Sequence, residues 1–390
     1  MLARGAGLLN TILFSLDPGL ATLVRSIADE SVEFTLERLV DSQPTGFEIS
    51  RTLGTTNADV ILLEVANTGR DIVYAEAIHT AAAKLPIVAL TDMDIGNGLE
   101  AHPGCGITGT LRWPFTVADF ETTLQRVVRG AAEAHHPNLI AFLPGKAGSG
   151  ASTTVMNTAD MLAGHLKKRV LVIEADLHSG LFATILGAKP PRGIRQALHG
   201  ARTMELPDWE QCLVRSNGVD YLVTNTAVKE PAPSWSDYFQ LLRFVLPRYD
   251  FVLADLPEVI DAATAEIVRT ADAVYMVTTP ELPSLALSRQ RCQDLVGWGV
   301  EGERLFAILN RWHEYDLPAG DVEKVLHHPV AATVGDDNRM VQKAIAEGKM
   351  LGTDNDLGAA FLKLACMLAG ETYTDKNKQK AGLFNLFRAS

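Results

Sequence analysis

The stretch Pro144-Gly-Lys-Ala-Gly-Ser-Gly-Ala-Ser-Thr153 decides the fold of this chain. The apolar residues 138–143 before it predict a buried strand, and residues 152–166 after it predict a helix. A strand, a glycine-rich turn and a helix start gather backbone N–H groups at the positive end of a helix dipole, which favours phosphate binding. Common phosphate loops carry a lysine directly before the Ser/Thr. Here that position is Ala151, and the lysine is Lys146, at the start of the loop.

The lysine at the start of the loop resembles the deviant Walker A signature of the MinD/ParA ATPases, K-G-G-x-G-K-[ST]-[ST]. Residues 146–153 match both ends of that signature and depart from it at Ala147 and Ala151. The departure, G-x-G-A-S-T, is similar to the CpaE/TadZ branch, the localisation factors of Tad-type pilus assembly. The resemblance covers residues 136–370. It implies a MinD/ParA-like P-loop domain with a doubly wound parallel sheet, an atypical ATPase that binds ATP and Mg²⁺.

Two further segments follow in the order of that family. Residues 169–176 predict a buried strand that ends in Glu174 and Asp176, and they resemble the family's D-x-D switch. Residues 249–257 contain an apolar strand that ends in Asp255, as in its Walker B segment. The resemblance implies that Asp176 positions the attacking water and is the catalytic residue. The metal ligands that it implies are Ser152, Asp255 and Glu174.

A later strand, residues 305–310, resembles the one whose terminal asparagine faces the adenine, here Asn310. The predicted nucleotide contacts are therefore Lys146, Gly148, Ser149, Gly150, Ala151, Ser152, Thr153, Asn310 and Arg311. Simpler roles stay open for five side chains. Glu174 and Asp176 can be polar strand ends, and Lys146 can be an ordinary solvated loop lysine. Asp255 can cap a helix, and Asn310 can cap a turn.

Residues 1–134 are expected to form a separate unit. Apolar strand candidates alternate with helical segments, which predicts a second doubly wound parallel sheet, of the flavodoxin-like kind. These candidates include residues 11–15, 59–63, 85–90 and 106–111. The unit resembles a two-component receiver, but Glu64 stands at the phospho-acceptor position and Trp113 at the lysine position, while Thr91 matches the switch hydroxyl. We expect a pseudo-receiver that serves docking or dimerisation and is not phosphorylated.

The composition limits the partners and the location. The formal net charge of −12 argues against nucleic-acid binding of the ParA kind. No apolar run approaches the ~18 residues of a membrane span. The first ten residues do not read as a signal peptide, so a cytoplasmic protein is expected. The four cysteines are far apart and have no metal-ligand spacing.

The last segment, residues 371–390, is predicted to be a basic, flexible tail. Lys376, Lys378 and Lys380 precede a short apolar stretch at residues 382–388. Three roles stay open for it. It can make weak, reversible contact with anionic lipid headgroups, it can dock a partner, or it can be a plain disordered end.

Together these features favour an ATP-binding, dimerising spatial regulator that localises Tad-type pilus assembly machinery. The expected partners are a second copy of the chain, paired through Lys146, and pilus assembly and secretion proteins at the inner membrane. That role implies a polar position, peripheral to the inner membrane. Ala151 supplies no charge to the phosphates, so the chain is at most a weak ATPase. Two alternatives stay open: an active MinD/ParA-type ATPase for positioning or partitioning, and a nucleotide-free scaffold, which would not need the retained acids.

Overall fold

The chain divides into two compact units, Met1–Ala134 and His135–Ser390. The structure is a computed structural model that describes residues 8–31, 33–66, 68–92, 104–131, 136–225 and 232–373. Within these ranges, no helix has both the length and the apolar character needed to cross a membrane. Residues 374–390, most of the predicted tail, lie outside the described residues.

The N-terminal unit is built on a five-stranded parallel sheet. Its elements are β1 (Leu9–Phe14), α1 (Pro18–Glu30), β2 (Phe34–Val40), α2 (Gly46–Gly54), β3 (Val60–Glu64), α3 (Thr68–Ala81), β4 (Ile87–Thr91), β5 (Ile107–Arg112) and α4 (Val117–Ala131). The strand order β2-β1-β3-β4-β5 is the flavodoxin-like order. Strand β4 is buried along its whole length, as expected where helices cover both faces of a parallel sheet. The predicted doubly wound sheet is confirmed.

The turn between β1 and α1 is fixed by its own sequence. Asp17 Oδ1 accepts hydrogen bonds from the N–H groups of Gly19 (2.6 Å) and Leu20 (3.3 Å), as a helix N-cap does. Pro18 takes the first helical position, where no N–H is needed. The cap holds this turn close to the end of β1, at the carboxyl edge of the sheet.

The C-terminal unit is built on an eight-stranded sheet. Its elements are β6 (His136–Pro144), α5 (Ala151–Gly164), β7 (Val170–Glu174), α6 (Phe182–Ile185), α7 (Ile194–Gly200), α8 (Leu206–Cys212), β8 (Leu213–Ser216), β9 (Val219–Leu222), α9 (Trp235–Val245), β10 (Phe251–Asp255), α10 (Ala265–Thr270), β11 (Ala271–Thr278), α11 (Leu282–Gly297), β12 (Leu305–Leu309), α12 (Ala319–Leu326), β13 (Val330–Thr333), α13 (Asn338–Ala346) and α14 (Asp356–Leu368). Three short 3₁₀ turns, at Ala201–Thr203, Leu246–Arg248 and Gly302–Arg304, complete the described secondary structure.

The strand order in this sheet is β13-β12-β11-β6-β10-β7-β9-β8, and every pair is parallel except β8 with β9. The phosphate-loop strand β6 lies between β10 and β11, near the centre. Because the carboxyl ends of parallel strands share one edge, the loops after β6, β7, β10 and β12 lie on the same side of the sheet. This edge collects the polar residues that the sequence singled out.

Helix α5 carries the phosphate loop and is buried among its neighbours. Val155, Met156 and Leu162 belong to the core between the sheet and α14. The buried Asn157 Oδ1 accepts a hydrogen bond from the N–H of Leu351 (2.8 Å), which fixes the helix at mid-length. The start of α5 is therefore held by the protein interior, and a ligand at the loop meets a preformed helix end.

One edge of the large sheet is closed by a hairpin that the sequence analysis did not predict. Strands β8 and β9 pair antiparallel across Asn217 and Gly218. Both turn residues have left-handed backbone angles, with φ of 52° and 82°, as a two-residue type I′ turn requires. Arg215 in β8 forms ion pairs with Glu210 (2.6 Å) and Asp220 (2.9 Å), so the outermost strand carries charge.

Candidate functional site

The glycine-rich loop between β6 and α5 has the backbone shape of an anion-binding nest. Gly148 and Gly150 take left-handed angles, φ of 80° and 94°, which other residues adopt at a cost. Ser149 N donates to the carbonyl of Lys146 (3.1 Å) and closes the turn. Helix α5 begins at Ala151, and the first N–H groups of a helix have no partner within it. These donors, together with the helix dipole, can hold phosphate oxygens.

Ser152 and Asp255, both predicted metal ligands, are in contact. Ser152 Oγ donates to Asp255 Oδ2 at 2.7 Å. Asp255 is buried, and its Oδ1 has no hydrogen-bond partner in the part of the chain that the structure describes. Burial, together with the negative charges of Glu174 and Asp176, raises the pKa of Asp255 to about 7, although the bond from Ser152 acts in the opposite direction. A cation beside this carboxylate would lower the pKa, because it would stabilise the ionised form.

The donor set at this position fits Mg²⁺. This ion prefers oxygen ligands and is commonly held by one or two protein groups together with substrate phosphates and water. The hydroxyl of Ser152 and the unpartnered oxygen of Asp255, next to the anion-binding loop, supply that kind of incomplete shell. Among the described residues there is no cluster of three or more His, Cys, Asp or Glu that could hold a metal alone. A Mg²⁺ ion held here would take its remaining ligands from water and substrate phosphates.

Glu174 lies beside Asp255 in the sheet, but its carboxylate is engaged elsewhere. Oε1 accepts from the N–H of Phe182 (2.7 Å), and Oε2 accepts from the N–H of Thr224 (2.6 Å). Burial raises the pKa of Glu174 while these bonds lower it. Glu174 thus joins the end of β7 to the start of α6 and to the segment after β9, as the simpler reading of a polar strand end expects. Its role as a metal ligand stays a prediction, and it would require these bonds to rearrange.

Asp176 caps the turn that follows β7. Its Oδ1 accepts from the N–H groups of His178 (3.0 Å) and Ser179 (2.8 Å), and its carbonyl accepts from Gly180 N (3.1 Å). The residue is half-buried, at the same sheet edge as Asp255. Both bonds to the turn use one oxygen, so Oδ2 stays outside the turn. The water-positioning role of Asp176 stays a prediction.

Asn310 supports the phosphate loop directly. Its Nδ2 donates to the carbonyl of Ser149 (2.8 Å), and its own N–H donates to the carbonyl of Thr278 (2.8 Å). A Cβ placed on Gly150 would lie 2.2 Å from Asn310 Nδ2, so only glycine allows this close approach. The neighbouring Arg311 is exposed, and with Thr153 and Gly335 it lines a small pocket beside the loop. Contact of Asn310 and Arg311 with a nucleotide base stays a prediction.

Lys146 stands half-buried at the entrance of the loop. The nearby Thr279 side chain lowers the pKa of Glu281, and the positive charges of Lys146 and Arg311 also contribute to lowering it. Both cations therefore lie near one exposed acid on the approach to the loop. Ser149, by contrast, is fully buried, and its Oγ has no partner among the described residues.

Two residues at the loop were missed by the sequence reasoning. Ala147 N donates to Glu258 Oε2 at 3.0 Å, so a carboxylate of the chain itself lies on the loop. Arg291 binds the other oxygen of Glu258 through Nη2 (2.5 Å) and donates from Nε to the carbonyl of Gly145 (3.0 Å). Glu258 follows the Asp255 strand end by three residues, which is the one signal that pointed to it. Nothing in the helical pattern of α11 marks Arg291.

The N-terminal unit holds a comparable arrangement at Glu64. The Oε2 atom of Glu64 accepts from Ser15 Oγ (2.9 Å) and from the N–H groups of Leu16 (2.7 Å) and Asp17 (3.1 Å). The position that resembles a phospho-acceptor is therefore occupied by an acid that binds the neighbouring turn. The pseudo-receiver role of this unit stays a prediction.

The comparisons with known proteins concern the part of the chain that carries the phosphate loop. No protein-family model matches the chain. It is similar in sequence to the septum site-determining protein MinD of Thermotoga maritima, at 25% identity over 214 residues that cover 52% of this chain and 77% of that protein. Its fold is similar to a ParA family ATPase from Chlorobium tepidum, with a TM-score of 0.53 and 17% identity over 58% of this chain and 98% of that one. It is also similar to the MinC:MinD cell division protein complex of Aquifex aeolicus, with a TM-score of 0.51 and 22% identity over 61% of this chain and 97% of that one. These likenesses confirm the predicted P-loop fold of the C-terminal unit.

Proposed function

We propose that the chain is an ATP-binding, dimerising spatial regulator. The premise is that its C-terminal unit is a MinD/ParA-type ATPase domain, which its relatives support. The chain localises Tad-type pilus assembly machinery at the inner membrane. The observation that carries nucleotide binding is the contact between Ser152 and the buried Asp255 at the start of α5, with one carboxylate oxygen left unpartnered. At this place the phosphates of a metal-bound polyphosphate would accept hydrogen bonds from the loop N–H groups, and the metal would bind the Asp255 carboxylate.

The residues that would hold Mg²⁺ are Ser152 and Asp255, and the bound ion neutralises charge on the phosphates. Gly148 and Gly150 let the loop backbone approach those phosphates closely. We assign to Asp176, at the same sheet edge, the task of orienting a water molecule.

Slow hydrolysis follows from Ala151. This residue is 4% exposed and carries no charge, where common phosphate loops have a lysine. That lysine stabilises charge that develops on the phosphates during transfer, and removing such a group costs orders of magnitude in rate. We therefore propose a nucleotide-occupied state that lasts long enough to mark a site.

The assignment to pilus assembly rests on the G-x-G-A-S-T loop and on the second, N-terminal unit. Glu64 fills the phospho-acceptor position and ties it to the β1–α1 turn, which suits a docking or dimerisation module. The MinD of Aquifex aeolicus forms a complex with MinC, and by analogy we propose that this chain also binds a protein partner. The proposed partners are pilus assembly and secretion proteins.

Nucleotide binding is tested by calorimetry of the full chain with ATP, with and without Mg²⁺. The wild type should bind ATP more tightly with Mg²⁺, and Asp255→Asn should lose at least about tenfold in Mg²⁺-dependent affinity. Asp272→Asn is the matched control, because Asp272 is an exposed acid of β11 with no contact to the loop. No binding at millimolar nucleotide would favour the scaffold alternative.

The cellular role is tested by imaging. A fluorescently tagged pilus assembly protein should form a focus in cells that contain the chain and lose it when the gene is deleted. Asp255→Asn should give the same loss, whereas Asp272→Asn should keep the focus. A focus that survives the deletion contradicts the localising role. Phosphate release as fast as in active relatives favours the working-ATPase alternative instead.

A further inference from the structure

The contact between Glu258 and the phosphate loop places a negative charge where a ligand phosphate is expected. Ala147 N points to Glu258 Oε2 at 3.0 Å, and Ala147 belongs to the same loop as Gly148 and Gly150. A carboxylate oxygen and a phosphate oxygen are both anionic acceptors for a backbone N–H. One N–H cannot serve both with good geometry, and two anions at that distance repel each other. Glu258 and a phosphate at Ala147 are therefore mutually exclusive.

Arg291 holds Glu258 in this position from a rigid element. Its guanidinium spans the Glu258 carboxylate and the carbonyl of Gly145, and its side chain is 16% exposed. Helix α11 packs directly on the loop entrance, since a Cβ on Gly145 would lie 2.0 Å from Ser288 Oγ. The arginine therefore stays beside the loop whether or not Glu258 is bound.

Glu258, in contrast, can leave. It lies in an irregular segment between β10 and α10, and 36% of its side chain is exposed. Next to it is a cavity of about 480 Å³, bordered by Val259, Ile260, Arg291 and Trp298. The carboxylate can swing into this space while the backbone of the segment stays in place.

The position of Ala147 in the loop indicates which phosphate competes. The N–H groups at the start of α5 lie at one end of the loop, next to Ser152, and take the inner phosphates of a nucleotide. Ala147 lies at the other end, four residues before α5. A diphosphate bound at the helix start leaves Ala147 to Glu258, whereas a third phosphate extends toward it.

We propose that Glu258 and Arg291 form a displaceable clasp on the phosphate loop that discriminates between nucleoside triphosphate and diphosphate. Glu258 occupies the place of the terminal phosphate on Ala147 N. When that phosphate binds, it displaces Glu258, and Arg291 transfers its charge-assisted hydrogen bond from the carboxylate to the phosphate. Arg291 thereby supplies at the loop entrance a cation that Ala151 cannot supply. This inference rests on the proposed nucleotide binding and names the residues that set its specificity.

The clasp predicts opposite effects for its two members. Glu258→Ala removes the competitor, so the apparent affinity for a triphosphate should rise about tenfold, while that for ADP should change less than about twofold. Arg291→Ala removes the receiving cation, so triphosphate affinity should fall about tenfold, again with little change for ADP. If Arg291 only held Glu258 in place, its removal would raise triphosphate affinity. The direction of the change therefore shows whether Arg291 binds the phosphate or only positions Glu258.

The experiment is calorimetry of the full chain with Mg²⁺ and either ADP or adenosine 5′-(β,γ-imido)triphosphate. Glu281→Ala is the matched control, because Glu281 is an exposed acid on the approach to the loop that makes no bond to Ala147. Thermal unfolding of each variant checks that the fold is kept. The clasp predicts that the ratio of triphosphate to ADP affinity rises in Glu258→Ala, falls in Arg291→Ala and is kept in Glu281→Ala.

Two results overturn the inference, and they differ from a failure of the proposed function. If the wild type binds both nucleotides and Glu258→Ala changes their ratio no more than Glu281→Ala does, Glu258 does not hold the terminal-phosphate position. If Arg291→Ala raises triphosphate affinity, the transfer to Arg291 is wrong. If neither the wild type nor Glu258→Ala binds any nucleotide, the loop is not a nucleotide site, and the proposed function falls with the clasp.

Discussion

Both units hold a glutamate carboxylate against the N–H groups of a loop that follows a parallel strand, but they hold it differently. Glu64 is the last residue of β3, and one of its oxygens accepts from a hydroxyl and two backbone N–H groups. Glu258 lies in an irregular segment, accepts one N–H from the phosphate loop, and shares its second oxygen with Arg291. The first carboxylate is fixed by a strand and three donors, and the second depends on a single loop donor and a neighbouring cation.

The difference separates a closed site from an open one. In the N-terminal unit the acid accepts from both N–H groups and from the hydroxyl of the turn at the end of β1. In the C-terminal unit the acid uses only Ala147 N, and the N–H groups at the start of α5 stay available to a ligand. Glu64 thus occupies the donors of its turn, whereas Glu258 leaves most donors of the phosphate loop to a ligand.

The largest effect on stability is expected at Asp255, because this carboxylate is buried and lies near the negative charges of Glu174 and Asp176. Its pKa is raised to about 7, above the ordinary value of 3.8, so the native state binds the extra proton between these values. The free energy of unfolding contributed by Asp255 is therefore full at low pH and is lost as the pH rises toward 7. Asp255→Asn removes this pH-dependent loss of stability, because asparagine does not ionise. Its stability advantage over the wild type should grow by about 2–3 kcal/mol between about pH 5 and about pH 8.

Urea unfolding of both proteins at a series of pH values, without nucleotide, measures this difference. Asp272→Asn provides the control, and its difference from the wild type should stay nearly constant with pH. Added Mg²⁺ and ATP should stabilise the wild type and not Asp255→Asn. If the stability advantage of Asp255→Asn does not change with pH, ionisation of Asp255 costs the native state no free energy. The loop would then stabilise its carboxylate as well as the β1–α1 turn stabilises Glu64.

A smaller effect is expected at Glu64. Glu64→Ala removes the acceptor of the Leu16 N–H and one of two acceptors of both the Asp17 N–H and the Ser15 hydroxyl, so the N-terminal unit should lose about 1–2 kcal/mol of stability. Glu258→Ala frees one exposed N–H and removes the ion pair with Arg291, whose bond to the carbonyl of Gly145 remains, and should cost less than about 1 kcal/mol. Hydrogen exchange resolved by peptide measures both in the full chain. Equal losses at the two sites would contradict the distinction between a fixed and a displaceable carboxylate.

The smallest effect is expected at Lys146, at the entrance of the open loop. A long cation at this place can reach the phosphates of a second copy, so Lys146→Ala should weaken ATP-dependent dimerisation several-fold without a change in fold, at roughly the strength of one exposed ion pair. Sedimentation velocity with and without Mg²⁺ and ATP measures this, with the exposed Lys189→Ala as the control. A wild-type chain that binds ATP and stays monomeric at tens of micromolar would rule out nucleotide-linked pairing.

Much of the fold can be predicted from local runs of apolar residues in the sequence. The elements that were missed lack such runs. The apolar runs before Gly145 and Asp255 gave two central strands, since both faces of these strands are buried and their composition shows it. The β8–β9 hairpin was missed although Asn217-Gly218 is a strong turn signal, because its strands are only four residues long and partly exposed.

The site divides in the same way. Ser152 and Asp255 could be paired from sequence, because the resemblance to the MinD/ParA phosphate loop and Walker B segment implied one metal site for both. The bonds that engage Glu174 come from backbone N–H groups 8 and 50 residues away, and no side-chain pattern encodes them. The contact of Glu258 with Arg291 joins a loop and a helix 33 residues apart. From sequence alone, a charged helical residue such as Arg291 is expected to face solvent, because its spatial neighbours are not known.

The two outer strands of the large sheet have a consequence for how copies of the chain can meet. Strands β8 and β13 have four residues each, and β8 carries Arg215 in ion pairs with Glu210 and Asp220. Strand-by-strand growth from one molecule to the next needs a long, uncharged border, so these borders discourage open-ended fibres. Copies of the chain can still meet through other surfaces, which can close after a fixed number of copies. The proposed role as a marker of a cellular position would benefit from such closure, because a growing fibre would extend away from the marked site.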